Sequence, residues 1–334
     1  MDEPEDLMQY FYENEESYEE TLSDVWNHCI GPSTASISHL LFKIILVNLV
    51  FGTTVSAIKL PEAIFHILSG VSGVYLISIL ESTEGKIIFL GFFSQTYLLL
   101  RIGLHIKRKY DPDDKVHYLR NSNLMKYNLL AFLVLCEYIL LETNTWMEIR
   151  GIVMIFSMKL ISLVEDVEKG VIVFPSIVGY FGYFFCGANI MFGPWISFQD
   201  YLVLYHQNTK KTIWWLVGVV RALVTSLLFL TISNCWISYF IKDGYNRWIL
   251  SYKEALSFRT SHYFICYLSE ASMLAAGFKN SKIWNNPDTW RFVVTDPSKI
   301  EFPPALAIVV TNWNRPMHDF LKKCKSQNFV QKFY

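Results

Sequence analysis

Two stretches of this chain leave little choice of solvent. From Val171 to Gln199 there is no Asp, Glu, Lys or Arg, and from Thr212 to Ile241 the only charged side chain is Arg221. A helix of about 20 apolar residues crosses a hydrocarbon core about 30 Å thick. Lipid-exposed chain favours the helix because it satisfies its own backbone donors and acceptors where water cannot. Composition agrees: 52% of the 334 residues are hydrophobic and only 18% are charged, against about 25% charged in soluble domains. The shortage of charged residues argues against a nucleic-acid partner, which needs a basic surface, and the hydrophobicity argues against a disordered chain.

The same criterion places earlier spans at His39–Ile58, Pro61–Leu80, Lys86–Arg101, Leu124–Leu141 and Glu148–Val164. Gly31-Pro32-Ser33 reads as a helix break before the first. No basic region or small-residue cleavage site precedes that span, so it reads as retained and not as a signal peptide. Between Asn246 and Phe278, Trp248, Tyr252, Leu256 and Tyr263 alternate with Arg247, Lys253 and Arg259, as in an interfacial helix leading into a membrane helix. Lys279–Phe302 is polar and reads as a loop, after which Pro303-Pro304 opens a short apolar helix, Ala305–Val310. The expected fold class is all-α: a polytopic bundle of about eight or nine membrane helices, some broken or re-entrant, around a central cavity.

Residues 1 to 24 hold ten carboxylates and no Lys or Arg. Residues 1–36 therefore read as an acidic tail ahead of a transmembrane domain, 37–334. Arg101, Lys107, Arg108, Lys109, Lys115 and Arg120 surround Asp111–Asp114 and mark a cytosolic loop, which puts the amino terminus on the lumenal side. The six cysteines are scattered, without metal-ligand spacing, and read as isolated buried residues rather than a disulfide framework. Lys43, Glu137, Lys159, Arg221 and Glu270 fall inside spans, where an ionisable group is expensive, so together they point to an internal polar pathway.

No phosphate-binding glycine loop, nucleophile elbow, zinc-protease helix or other metal motif occurs. The strings that stand out are Arg150-Gly151, Met154–Asp166, Phe192-Gly193-Pro194-Trp195-Ile196-Ser197-Phe198, Ala255-Leu256-Ser257-Phe258, Leu268-Ser269-Glu270-Ala271 and Val309–Met317. On these ordered blocks, residues 140 to 330 resemble the membrane-bound O-acyltransferase family, specifically its branch that acylates Wnt proteins. The resemblance implies a multi-pass protein of the endoplasmic reticulum that transfers a palmitoleoyl group from acyl-CoA to a serine of Wnt proteins. Its partners would be Wnt proteins, acyl-CoA as a co-substrate and the lipid bilayer, with no nucleic acid, metal or cofactor.

By motif position the family's catalytic Asn is Asn314, in Trp313-Asn314-Arg315-Pro316. The resemblance further implies Trp313 as a pocket wall and Glu270 and Arg221 as polar groups of a substrate tunnel. In such chemistry a neutral His acts as general base on the serine hydroxyl while an amide polarises the thioester carbonyl. The family's His lies about thirty residues beyond the Asn, past Tyr334, so the chain is expected to stop before that base. His318, four positions beyond Asn314, and His262, in a matching block but away from the His motif, are the alternatives, although a polar turn around His318 and a structural role for His262 fit the residues better. Without the resemblance, Asn312-Trp313-Asn314 before a proline is equally a helix-entry turn. The alternatives are another acyltransferase of the family, acting on a different protein or on lysophospholipid, and a non-catalytic membrane protein that binds Wnt or acyl-CoA.

Overall fold

The computed structural model describes residues 21–110, 115–206, 211–278 and 292–330, with side chains omitted at 106–122 and 325–330. Most of the acidic tail, the Asp111–Asp114 tetrapeptide and residues 279–291 of the polar loop lie outside the described residues. Among the described residues all regular structure is helical. The helices are α1 (Leu22–Ala57), α2 (Glu62–Ser78), α3 (Thr83–Tyr110), α4 (Lys115–Leu135), α5 (Thr143–Glu168), α6 (Ile177–Phe184), α7 (Phe198–His206), α8 (Ile213–Phe240), α9 (Arg247–Ala276), α10 (Pro297–Glu301), α11 (Leu306–Trp313) and α12 (Arg315–Val330).

Among the described residues, four helical stretches are both long and apolar enough to cross a membrane: Leu22–Ala57, Thr83–His105, Asn123–Leu140 and Ile213–Phe240. Their outward rows are apolar, with Phe42, Leu46 and Val50 exposed on α1 and Val217, Val220 and Val224 on α8. Exposed apolar faces of this extent belong against lipid. The polar side chains Asn48, Ser69, Thr96 and Lys159 are fully buried instead. The helix α5 is also long, but Glu148, Arg150, Lys159, Glu165 and Asp166 lower its apolarity.

The break expected at Gly31-Pro32-Ser33 does not occur. Thr21 and Asp24 form a reciprocal capping box, and a π turn over Trp26–Ile30 then carries the Gly31 N–H back to the Trp26 carbonyl. The wider turn changes the backbone ladder just where Pro32 has no donor, so α1 continues.

The uncharged run Val171–Gln199 forms no spanning helix. It folds as the short α6, a series of turns and extended chain. Irregular backbone is tolerated at membrane depth only when enclosed by protein, and Tyr180, Tyr183, Phe184, Phe185, Cys186, Ala188 and Ile190 are all buried. Side chains of the segment itself and of neighbouring helices satisfy its backbone. Lys159 Nζ donates to the carbonyl of Tyr183 (2.8 Å) and to Asn189 Oδ1 (2.8 Å), and Asn189 Nδ2 donates to the Pro194 carbonyl (3.1 Å). Ser72 Oγ accepts from the Gly187 N–H (3.2 Å), while Tyr183 Oη donates to the Ile196 carbonyl (2.7 Å). The helix α2 packs along this segment closely enough that a Cβ on Gly73 would overlap the Phe185 carbonyl.

Contacts divide the chain into two units. One joins the described part of Met1–His39 to Leu227–Phe264, and the other joins Leu40–Ser226 to Ile265 onward. The first has a small core of Val25, Ile30 and Cys235, with Cys29 and Cys235 joined by a disulfide across 206 residues of sequence. Isolated cysteines were expected; the pairing depends on two helices meeting, which a 206-residue separation does not reveal. Cys136, Cys186, Cys266 and Cys324 are not disulfide-bonded. The second unit holds the large aromatic core, including Phe65, Phe156, Tyr180, Phe184, Phe185 and Tyr201.

Candidate functional site

All four predicted site residues lie in the second unit. Asn314 stands between α11 and α12 in an extended conformation, φ -146° and ψ 88°. Its Oδ1 accepts from the Met317 N–H (3.0 Å), and its carbonyl accepts from the His318 N–H (3.0 Å). This is N-cap geometry, and Pro316 in the first turn fits it because that position needs no donor. The Asn314 Nδ2 group makes no hydrogen bond among the described residues, so the half-buried side chain keeps a donor available.

A second asparagine fixes the junction. Asn312 is buried, and its Oδ1 accepts from Arg315 Nε (3.1 Å) and Nη2 (2.8 Å). The Arg315 N–H donates to the Val294 carbonyl (2.9 Å), and the Asp296 N–H donates to the Asn312 carbonyl (3.2 Å). Asp296 also lies 3.6 Å from Arg315 Nη2. Partial burial alone would raise the Asp296 carboxyl; hydrogen bonds from Ser298 and Lys299, with the charges of Lys299 and Arg315, outweigh it and hold the group below its ordinary value. Sequence reasoning missed Asn312, Arg315 and Asp296; the adjoining Asp296-Pro297 and Asn312-Trp313-Asn314-Arg315 strings were the available signals.

Trp313 is half-buried at the end of α11. Glu270 is buried on α9 and Arg221 is exposed on α8, near enough for its charge to act on Glu270. Tyr267, one turn before Glu270, is near enough to Glu270, Asp296 and Arg221 to feel their charges. The other flagged groups separate from this region in role. Lys159 holds the irregular core segment, Lys43 is half-buried, and Glu137 is exposed in the π turn Cys136–Leu140.

His318 lies in α12 rather than in the expected polar turn, because the Asn314 cap and Pro316 start a helix there. A different histidine is fully engaged in the core: His66 Nδ1 is 2.9 Å from Tyr201 Oη, and its Nε2 is 3.5 Å from Glu62.

The fold defines a multi-pass, all-helical membrane protein, and comparison with known sequences makes its class that of an O-acyltransferase. No family model matches the chain. It is 31% identical to the protein-serine O-palmitoleoyltransferase porcupine of Anopheles gambiae over 96% of this chain and 68% of that relative. The human porcupine is 33% identical over 64% of this chain and 50% of its own length. Lysophospholipid acyltransferase 1 of Arabidopsis thaliana is 21% identical over 90% of this chain and 71% of its own length. The chain belongs to the porcupine family of membrane-bound O-acyltransferases.

The chain spans about half the length of the human relative it matches.

Proposed function

We propose that the protein containing this chain transfers a palmitoleoyl group from acyl-CoA to a serine of Wnt proteins in the endoplasmic reticulum membrane. The observation that carries this reading is the similarity to porcupine along 96% of the chain. Residues 37–334 would form part of the acyltransferase domain, following an acidic segment at 1–36. Asn314 Nδ2 would donate to the thioester carbonyl, where negative charge develops during attack by the serine hydroxyl. The Asn314 Oδ1 is committed to the first turn of α12, so the cap orients the amide with its donor outward. Trp313 would form a wall of the pocket, with Glu270 and Arg221 contributing its polar groups.

The acyl chain itself favours a membrane scaffold. At about 0.8 kcal/mol per buried methylene, sixteen carbons provide on the order of 10 kcal/mol of hydrophobic binding. Complementation tests the assignment: the full-length gene, expressed in porcupine-deficient cells, should restore palmitoleoylation of Wnt. Absence of Wnt lipidation together with acylation of lysophospholipid would overturn it in favour of the activity named for the plant relatives.

A further inference from the structure

The helix α12 has little apolar hold of its own: among residues 315–324 only Pro316 and Phe320 are buried. Contacts from Phe320 and Lys323 seat it. The Phe320 ring lies 5.5 Å from the Trp195 ring, edge to face, and Lys323 Nζ lies 5.7 Å from the same ring. Lys323 Nζ then donates to Asp166 Oδ2 (2.7 Å) and to Ser162 Oγ (3.1 Å) on α5. Asp166 is buried, whereas Lys323 is partly exposed.

Both anchors stand on firm ground. Trp195 follows Pro194, whose carbonyl is held by Asn189, itself bound to Lys159. Trp195 Nε1 makes no hydrogen bond among the described residues, and the indole meets α12 through its ring, against Phe320 and Lys323. The neighbouring Glu165 is occupied by Lys126 (2.9 Å) and Lys169 (3.7 Å), which leaves Asp166 as the direct carboxylate partner of Lys323. The contacts reach α12 beyond its first turn, the turn that Asn314 caps.

We infer that Asp166 and Trp195 are positioning residues for Asn314, acting through Lys323 and Phe320 to fix the helix on which its cap depends. The link to catalysis rests on the acyltransferase reading above; the seating of α12 does not. The two blocks Met154–Asp166 and Phe192–Phe198, which carry no obvious chemistry, thereby gain a shared mechanical role. A displacement of about 1 Å at a reacting group is enough to lower a rate about a hundredfold.

The test uses the full-length protein in detergent, with palmitoleoyl-CoA and a Wnt serine peptide as substrates. Maleimide labelling of Cys324, followed by peptide mass spectrometry, reports the seating of α12 independently of activity. Burial, aided by the Glu165 carboxylate, raises the Cys324 thiol to about 11, so labelling of the seated helix is slow. Asp166→Asn and Lys323→Met should speed labelling at least about fivefold. They should also lower kcat by about ten- to a hundredfold with little change in KM. Lys323→Arg should restore both quantities toward wild type, and Trp195→Phe, which keeps a ring against Phe320, should lose less than Trp195→Ala. Unchanged Cys324 labelling in both charge variants would overturn the inference, as would a raised KM with kcat preserved. If labelling responds but the wild-type protein transfers no acyl group, α12 is seated as inferred and the functional reading fails.

Discussion

The buried segment Tyr183–Ile196 and the junction Val294–Arg315 both interrupt helices, but they use their polar groups differently. In the first, Lys159, Asn189, Ser72 and Tyr183 are engaged with neighbouring backbone or side-chain atoms. In the second, Asn312 is committed to Arg315 while Asn314 commits its oxygen and retains its Nδ2 donor. An expensive buried cation therefore marks structural closure here, and a half-buried amide marks the place where chemistry is proposed. Cost alone does not separate the two roles.

The largest expected effect breaks the closed segment. Lys159→Met leaves the Tyr183 carbonyl and Asn189 Oδ1 without their buried donor and should cost roughly 3–5 kcal/mol of stability. Thermal melting of the detergent-solubilised full-length protein checks this; a melting point equal to wild type would remove the contrast between the two regions.

Asn314→Asp sharpens the contrast from the other side. A carboxylate still accepts the Met317 N–H, and Asp caps about as well as Asn, so α12 should remain in place. The donor is gone, which should lower acyl transfer about a hundredfold, or about 2.7 kcal/mol in the barrier. Equal losses of melting temperature and activity would instead assign Asn314 to capping alone.

The smallest effect concerns the Asp296 clamp. Its folded value lies below the ordinary 3.8, so its stabilising contribution is complete above that pH and is lost as pH falls through the folded value. Melting curves of wild type and Asp296→Asn should therefore differ at pH 6 and converge only below about pH 4. A constant gap down to pH 3 would place the stabilisation outside this carboxylate's charge.

Hydropathy made several helices legible, with α2, α8 and α11 close to their expected limits, because lipid-facing segments display their environment in composition. It failed at Val171–Gln199, where chain enclosed by protein is as apolar as chain that faces lipid. It also missed α12, since Arg315-Pro316 and His318-Asp319 look like a polar turn until the Asn314 cap and the Trp195 and Asp166 anchors are seen. At the candidate site, Trp313-Asn314-Arg315-Pro316 was readable as a motif, but the clamp formed by Asp296, Asn312 and Arg315 was not.

The sequence by itself determined the solvent, the all-helical class and the family, because apolar run length and ordered motif blocks are properties of the linear chain. Tertiary structure alone decided which costly groups close the core and which keep a hydrogen-bonding capacity. It also decided that Cys29 pairs with Cys235 and that Lys323 reaches Asp166. The physical reason is shared: a hydrogen bond, an ion pair or a disulfide depends on distances of a few ångströms between residues that the chain brings together only by folding.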